Sequence, residues 1–316
     1  MGELSKYVGE VGESIAKTFF ERIGWGASIS NKTLPCLYKS KHSTSENKQR
    51  TTHGIDRLFS YVSNVEYHAI QNIYISCKNT LKSYPASPVS TFKEHMNDLI
   101  IGLECFKRSV IKSEITSRFK GYSTQYDAGV LFWISCDKNT YDNVIEKVSS
   151  CRLDTNYEFG NIYIIDNSIV NFHIKILDLI EKNFTGYSWH YYLYETAMGY
   201  ADKSLTRKTK ILPVEYINSR FITFVLINKL NAQEKPKFII FTKDNFNKDN
   251  LEMYIHVARE FTSEMTTDYY IIFPDYDKIQ HESDVSHVIM SMPEELEINI
   301  NVGTFTDSGV RGMYNE

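Results

Sequence analysis

The sequence reads His53-Gly54-Ile55-Asp56-Arg57-Leu58-Phe59, passes a polar turn near Ser63-Asn64, and resumes with Ile73-Tyr74-Ile75-Ser76-Cys77-Lys78-Asn79. We interpret the two runs as neighbouring β-strands, in which side chains alternate between the two faces of a sheet. Asp56 then shares a face with Leu58, and Lys78 shares one with Ser76. If the strands pair, a carboxylate and an ammonium group meet at one end of the sheet. A metal-dependent hydrolase needs this pair: a hard oxygen ligand for Mg²⁺, and a cation that stabilises developing negative charge.

The bulk composition is typical of a protein with large apolar cores. The 316 residues are 42% hydrophobic and 23% charged, which allows two domains or one large one. The formal net charge of -4 excludes a globally basic, nucleic-acid-coating protein. Any nucleic-acid surface must therefore be a local patch.

The cysteines indicate a reducing compartment. They are five in number, widely spaced and without a CxxC pair: Cys36, Cys77, Cys105, Cys136 and Cys151. This pattern argues against a structural zinc site and against a disulfide framework, and favours the cytoplasm. No apolar run approaches the roughly 20 residues that a membrane span needs.

The N-terminal segment predicts an amphipathic helix over residues 4–23. Apolar residues recur at helical spacing, and Gly24 supplies a stop. Glu13 lies at the edge of the apolar stripe. It is either a carboxylate that leans over the active end of the sheet or an ordinary solvated residue.

Two basic segments are candidates for phosphate contact. The first, a predicted loop over residues 33–52, carries Lys39, Lys41, Lys48 and Arg50. The second comes at the end of a long predicted helix, residues 91–112, and carries Lys107, Arg108 and Lys112. Either segment could contact nucleic acid, but a run of charges is more often a solvated surface.

The remaining pattern alternates strands and helices. Residues 128–135 and 161–165 predict strands, while residues 141–148 and 169–180 predict helices, which indicates an α/β fold. The aromatic segment 186–200 predicts a helix between two domains, or a surface that stacks on bases. We place the domain boundary between residues 200 and 201. Residues 201–316 restart the pattern as a smaller α/β domain, a candidate partner or dimer interface.

Three features in order resemble the PD-(D/E)xK nuclease superfamily, and its Mrr-like branch in particular: a helix with Gly12-Glu13, a strand with Gly54-Ile55-Asp56, and a strand ending Ser76-Cys77-Lys78. The resemblance covers about residues 5–180. It implies a restriction-endonuclease-like mixed central sheet flanked by helices. It also implies that Asp56 binds metal, that Lys78 is the motif lysine and that Glu13 is the helix glutamate of this branch. His53 would contact phosphate or serve as a hydrogen-bonded structural residue.

One position departs from the family pattern. The second carboxylate of the motif should stand two residues before Lys78, where this chain has Ser76. A hydroxyl is a poorer ligand for Mg²⁺ than a carboxylate. Either another acid replaces it, with candidates Glu13, Glu66, Glu94 and Asp98, or the site binds metal weakly.

The resemblance implies a Mg²⁺-dependent DNA endonuclease of microbial defence against foreign DNA, in which Mn²⁺ can replace Mg²⁺. Double-stranded DNA is then the expected substrate, and a homodimer or a heteromeric complex the expected assembly. Two alternatives stay open: a catalytically weak DNA-binding subunit of a heteromeric complex, and an RNA- or tRNA-directed nuclease of the same fold.

Overall fold

The computed structural model describes residues 2–43, 49–137, 143–153, 156–194, 207–263, 265–292 and 298–305. The chain divides into two compact units, with the change between Asn171 and Phe172. None of the described helices is both long and apolar enough to cross a bilayer.

The first unit is built on a mixed five-stranded sheet in the order β1-β2-β3-β4-β5. Strands β1 to β3 are antiparallel, and β4 and β5 continue parallel to β3. The elements are α1 Gly2–Arg22, β1 Ile29–Pro35, β2 Thr52–Val62, β3 Ala69–Thr80, α2 Val89–Phe106, α3 Val110–Thr116, β4 Thr124–Ser135, α4 Val144–Val148 and β5 Ile162–Ile165. Helix α5, Asn167–Asn183, follows β5 and continues into the second unit.

Helices cover both faces of this sheet. Leu131 and Trp133 of β4 pack in one core with α2. Phe132, between them, contacts Phe19 and Phe20 of α1 instead. Because successive strand residues face opposite sides, α1 and α2 lie on opposite faces of the sheet. This is the predicted mixed sheet flanked by helices.

The long helix predicted over residues 91–112 is two helices. Helix α2 ends at Phe106, and α3 begins at Val110. The break occurs at Ser109, which has an extended backbone and whose hydroxyl accepts a hydrogen bond from the amide of Lys112. A serine in this role caps a new helix, because it satisfies a donor that otherwise has no partner.

The second unit contains a six-stranded sheet in the order β11-β10-β9-β8-β6-β7. Its elements are β6 Tyr187–Tyr192, β7 Lys208–Thr209, a short 3₁₀ helix Val214–Tyr216, β8 Phe221–Asn228, β9 Lys237–Thr242, α6 Lys248–Thr262, β10 Asp268–Phe273, α7 Lys278–Met290 and β11 Asn299–Thr304. Helices α6 and α7 connect the parallel strands β9, β10 and β11.

The aromatic segment corrects two sequence predictions. Residues 187–192 form strand β6 rather than a helix, and β6 pairs with β8 in the second sheet. Tyr191 packs on Phe224 of β8 at a ring-centroid distance of 4.7 Å. The change of unit therefore precedes the aromatic segment, whereas the sequence predicts it after residue 200.

The two sheets share a topology. In each, a helix (α1 or α5) precedes three antiparallel strands, which are followed by two parallel strands joined through helices. In the second sheet β6, β8 and β9 take the places of β1, β2 and β3, and β7 is added at the β6 edge. Strand β8 contains no charged residue, whereas β2 contains Asp56.

A buried histidine on α5 makes the stability of the second unit depend on pH. His173 donates a hydrogen bond from Nε2 to the Ile217 carbonyl at 2.9 Å, and burial lowers its pKa to about 4. Above pH 6.5 the imidazole is mostly neutral in both the folded and the unfolded protein. As the pH falls from 6.5 towards 4, the unfolded chain binds the proton first, so the folded state loses stability. Below pH 4 both states are protonated and the loss stops.

We predict that His173→Gln weakens this pH dependence, because glutamine keeps an N–H donor for Ile217 but does not titrate. Between pH 7 and pH 5 the wild-type protein should lose on the order of 2 kcal/mol more of its unfolding free energy than the variant. Denaturant unfolding at both pH values measures this. His256→Gln, at an exposed position, is the control. Equal losses in wild type and His173→Gln would contradict the assignment.

Candidate active site

A cavity of about 230 Å³ lies between α1 and the hairpin β2–β3. Its walls include three of the residues that the sequence singles out, namely Glu13, Asp56 and Lys78. They come from α1, β2 and β3, respectively. The fold thus brings three residues that are far apart along the chain to the walls of a single cavity.

Asp56 is fixed to the neighbouring strand. Its Oδ2 atom accepts a hydrogen bond of 2.7 Å from the backbone amide of Cys77. The strand register supports this contact, because Arg57 pairs with Ile75 and Leu58 with Tyr74. The second oxygen, Oδ1, is then the one that can bind a metal ion at the cavity.

Lys78 has an acidic neighbour on α2. Its Nζ atom lies 3.4 Å from Asp98 Oδ2, and Arg50 donates two hydrogen bonds of 3.2 and 3.3 Å to the other oxygen of Asp98. The Asp98 side chain is 47% exposed. An ion pair this exposed contributes roughly 0–1 kcal/mol. The contact orients the ammonium group without committing it to one partner.

Glu13 reaches the cavity because α1 lies very close to β3. A Cβ atom at Gly12 would lie 2.2 Å from Asn79 Cγ, so only glycine permits this spacing. Arg57 of β2 donates a hydrogen bond of 3.3 Å from Nη2 to the Glu13 carbonyl, and a second one from Nη1 to the Ser28 hydroxyl. Arg57 therefore ties the helix to β2 at the residue that carries the carboxylate.

Cys77 lines the same cavity but is a poor nucleophile. Burial raises the pKa of its thiol, and the Asp56 carboxylate raises it further. The charges of Arg57, Glu13 and Lys78 also influence the pKa of this thiol. At neutral pH the thiol is protonated, and only a thiolate attacks or binds metal efficiently.

The structure distinguishes the candidates for the missing carboxylate. Ser76 is buried and does not line the cavity. Glu66 lies near the turn at the far end of the hairpin, where its amide bonds Ser63. Glu94 and Asp98 lie on α2. Of the four candidate acids, all within the described residues, Glu13 is the one in the cavity wall.

A family model described as the GAPS4 protein PD-(D/E)XK nuclease domain matches residues 1–169. The chain belongs to this family. The predicted resemblance to PD-(D/E)xK nucleases is therefore confirmed, and the family name adds an antiphage-defence context. No curated protein and no solved structure matches the chain.

Several basic residues of this nuclease domain have acidic partners. Lys41 pairs with Glu104 at 2.5 Å, and Lys112 pairs with Asp127 at 2.5 Å with its side chain only 14% exposed. Further pairs join Arg50 to Asp98 and Arg108 to Glu158. These ion pairs reduce the positive charge that both predicted basic segments can offer to nucleic acid. Lys39 is exposed, Lys107 is partly exposed, and Lys48 lies outside the described residues.

His53 is not a surface residue of the nuclease domain. It is 4% exposed, and its Nε2 atom lies 3.4 Å from His42 Nδ1. This burial argues against the predicted contact with phosphate and agrees with the alternative of a hydrogen-bonded structural histidine. Around it lie further residues that the sequence does not suggest: Cys36, His42 and Cys105. Their positions along the chain match no familiar zinc-binding spacing, so no local signal identifies them.

Because α1 lies close to β3, we predict that alanine substitutions at two glycines of α1 have opposite effects on stability. Gly12→Ala should destabilise the domain by about 1–3 kcal/mol, because the added methyl group must displace Asn79. Gly9→Ala has open space around the new methyl group. It should stabilise the helix by up to about 1 kcal/mol.

Thermal or denaturant unfolding of the two variants measures these effects, with Gly9→Ala as the matched control. Equal stability of both variants would show that α1 does not lie this close to β3.

Proposed function

We propose that the cavity is the active site of a Mg²⁺-dependent endodeoxyribonuclease that acts on foreign double-stranded DNA in the cytoplasm. One observation carries the proposal: Asp56, Glu13 and Lys78 line the same cavity. Membership of a PD-(D/E)XK nuclease family supports phosphodiester hydrolysis, and its antiphage context supports foreign DNA as the substrate. The free cysteines agree with a reducing compartment.

The residues in the cavity fit a divalent metal ion. Asp56 and Glu13 offer carboxylate oxygens, the hard ligands that Mg²⁺ and Mn²⁺ prefer. The Cys77 amide holds one oxygen of Asp56, which leaves the other for coordination. A Mg²⁺ ion bound there would polarise the scissile phosphate and lower the pKa of the attacking water. Glu13 thus supplies, from α1, the charge that Ser76 lacks.

The lysine has a separate role. Lys78 carries a positive charge at the cavity and can stabilise the negative charge that develops on the phosphate during attack. In the structure the ammonium group makes a weak, exposed contact with Asp98 of α2. Because this contact contributes little, the ammonium group can turn towards a bound phosphate at small cost.

A substrate panel tests the reaction class. Purified protein is incubated with supercoiled plasmid, linear double-stranded DNA and RNA, each with Mg²⁺, with Mn²⁺ or with EDTA. We expect cleavage of DNA with either metal and none with EDTA. Cleavage of RNA alone would change the substrate class. DNA binding without cleavage would favour the non-catalytic alternative, which the serine at position 76 motivates.

Substitutions assign the site. Asp56→Asn and Lys78→Met should each lower the cleavage rate by roughly 10²–10³-fold, because each removes one preorganised charge from the transition state. Glu13→Gln should raise the Mg²⁺ concentration needed for the half-maximal rate, because it removes a charged metal ligand. Single-turnover cleavage rates across a range of Mg²⁺ concentrations measure both effects.

The matched controls are Asp249→Asn and Lys235→Met, which make the same chemical changes at exposed positions of the second unit. Both should cleave at the wild-type rate. Full activity in Asp56→Asn, with the fold intact by circular dichroism, would exclude this cavity as the active site.

A further inference from the structure

A second group of metal-ligand side chains lies outside the walls of the catalytic cavity. We call it the Cys/His cluster, and its members are Cys36, His42, His53 and Cys105. Each offers one ligand atom, and the four atoms all lie within 4.8 Å of one another. Two thiols and two imidazoles in this arrangement are the donor set of a tetrahedral zinc site.

Four of the six distances between the ligand atoms are close to those of a zinc tetrahedron. With Zn–S of about 2.3 Å and Zn–N of about 2.0 Å, two sulfurs lie about 3.8 Å apart, two nitrogens about 3.3 Å, and a sulfur and a nitrogen about 3.5 Å. The two sulfurs, of Cys36 and Cys105, are 4.0 Å apart. The two imidazole nitrogens are 3.4 Å apart, and His42 Nδ1 lies 3.4 and 3.5 Å from the two sulfurs.

The cluster is buried, with exposed fractions of 4% or less for all four members. A solvent molecule therefore has no evident place among the ligands. A zinc site with four protein ligands and no open position is structural, whereas a catalytic site keeps one position for water.

The groups around the cluster orient its ligands. Glu104, itself 4% exposed, accepts a hydrogen bond of 2.7 Å from His42 Nε2, so Nδ1 faces the other members. A carboxylate behind a metal-binding histidine is a common outer-shell partner. Lys41 and the backbone amide of Glu158 donate hydrogen bonds to the other carboxylate oxygen of Glu104. The amide of Leu37 donates to the Cys105 sulfur at 3.3 Å, a contact that favours a thiolate.

We propose that the Cys/His cluster binds one Zn²⁺ ion. Binding releases the two thiol protons to solvent and leaves two thiolates, two neutral imidazoles and one divalent cation. The net charge of the site is then zero, which suits its burial. Soft sulfur and imidazole ligands select zinc here, while the carboxylates of the catalytic cavity suit Mg²⁺. The domain thus has two metal sites of different chemistry.

The ion ties together elements that carry the active site. Cys36 directly follows β1, His53 lies on β2 three residues before Asp56, and Cys105 lies in the last turn of α2. Helix α2 also carries Asp98, the partner of Lys78. Zinc binding therefore fixes the end of α2 against the strand that supplies the catalytic carboxylate.

The metal content of the wild-type protein tests the proposal first. Full-length protein, purified without a metal-affinity tag, should contain about one zinc ion per chain when measured by inductively coupled plasma mass spectrometry. Protein produced in cobalt-supplemented medium should show the visible absorption of tetrahedral Co²⁺ and a sulfur-to-cobalt charge-transfer band. Cys36 and Cys105 should resist alkylation by N-ethylmaleimide until a chelator is added.

Variants then locate the ion. Cys36→Ser should lose the zinc and the cobalt spectrum, while the matched control Cys151→Ser should keep both. Glu104→Gln, which keeps all four ligands, should weaken zinc affinity by about 10–100-fold. Asp56→Asn should keep its zinc, which separates this site from the catalytic cavity and from the proposed nuclease activity.

Two results would overturn the proposal. One is wild-type protein with no more zinc than Cys36→Ser and no tetrahedral cobalt spectrum. The other is a disulfide between Cys36 and Cys105 in freshly purified protein, because a disulfide removes both thiolate ligands. Neither result would bear on whether Asp56 and Lys78 support cleavage of DNA.

Discussion

The hydrogen bond from the Cys77 amide to Asp56 Oδ2 is the constraint on which the candidate active site depends. It joins β2 to β3 where the carboxylate and Lys78 come together, and it requires the register in which Arg57 pairs with Ile75. A shift of one residue would turn Asp56 to the other face of the sheet. The Tyr74 hydroxyl, which donates to the Gly54 carbonyl at 2.8 Å, holds the same register from the α2 side.

Helices α1 and α2 add residues to the site that the β2–β3 hairpin forms. Helix α1 brings Glu13 to the cavity because Gly12 lets it lie against Asn79. Helix α2 brings Asp98 to Lys78 from the opposite face of the sheet. If the Cys/His cluster binds zinc, it fixes the end of α2 relative to β2, so that folding of this region and placement of Asp56 are coupled. The second unit repeats the strand topology without a carboxylate on β8, the strand that corresponds to β2.

The sequence predicts those parts of the site that depend on local periodicity. Alternation identifies β2 and β3 and puts Asp56 and Lys78 at one end, and helical spacing identifies α1 with Glu13 at the edge of its stripe. The local sequence does not distinguish a strand from a helix at β6, since its run of aromatic residues suits either, and its pairing with β8 makes it a strand. Ion pairs such as Lys112 with Asp127 also depend on tertiary contacts, so a count of basic residues overstates the charge available for nucleic acid.

The Cys/His cluster shows why sites built from residues far apart in the sequence could not be predicted. Its ligands extend from Cys36 to Cys105, and their proximity exists only after β1, β2 and α2 have packed. The same holds for the presence of Glu13 in the cavity wall where Ser76 is absent, since nothing local relates an acid on α1 to a position on β3. In both cases the chemistry is assembled by the fold rather than by sequence spacing.

The central claim is that Asp56 and Glu13 hold one divalent ion beside Lys78. Anomalous diffraction from a crystal soaked in Mn²⁺ tests it most directly. We expect an anomalous peak in the cavity, roughly 2 Å from a carboxylate oxygen of each acid. A protein that cleaves DNA with Mn²⁺ but shows its peak away from Asp56 would contradict the account.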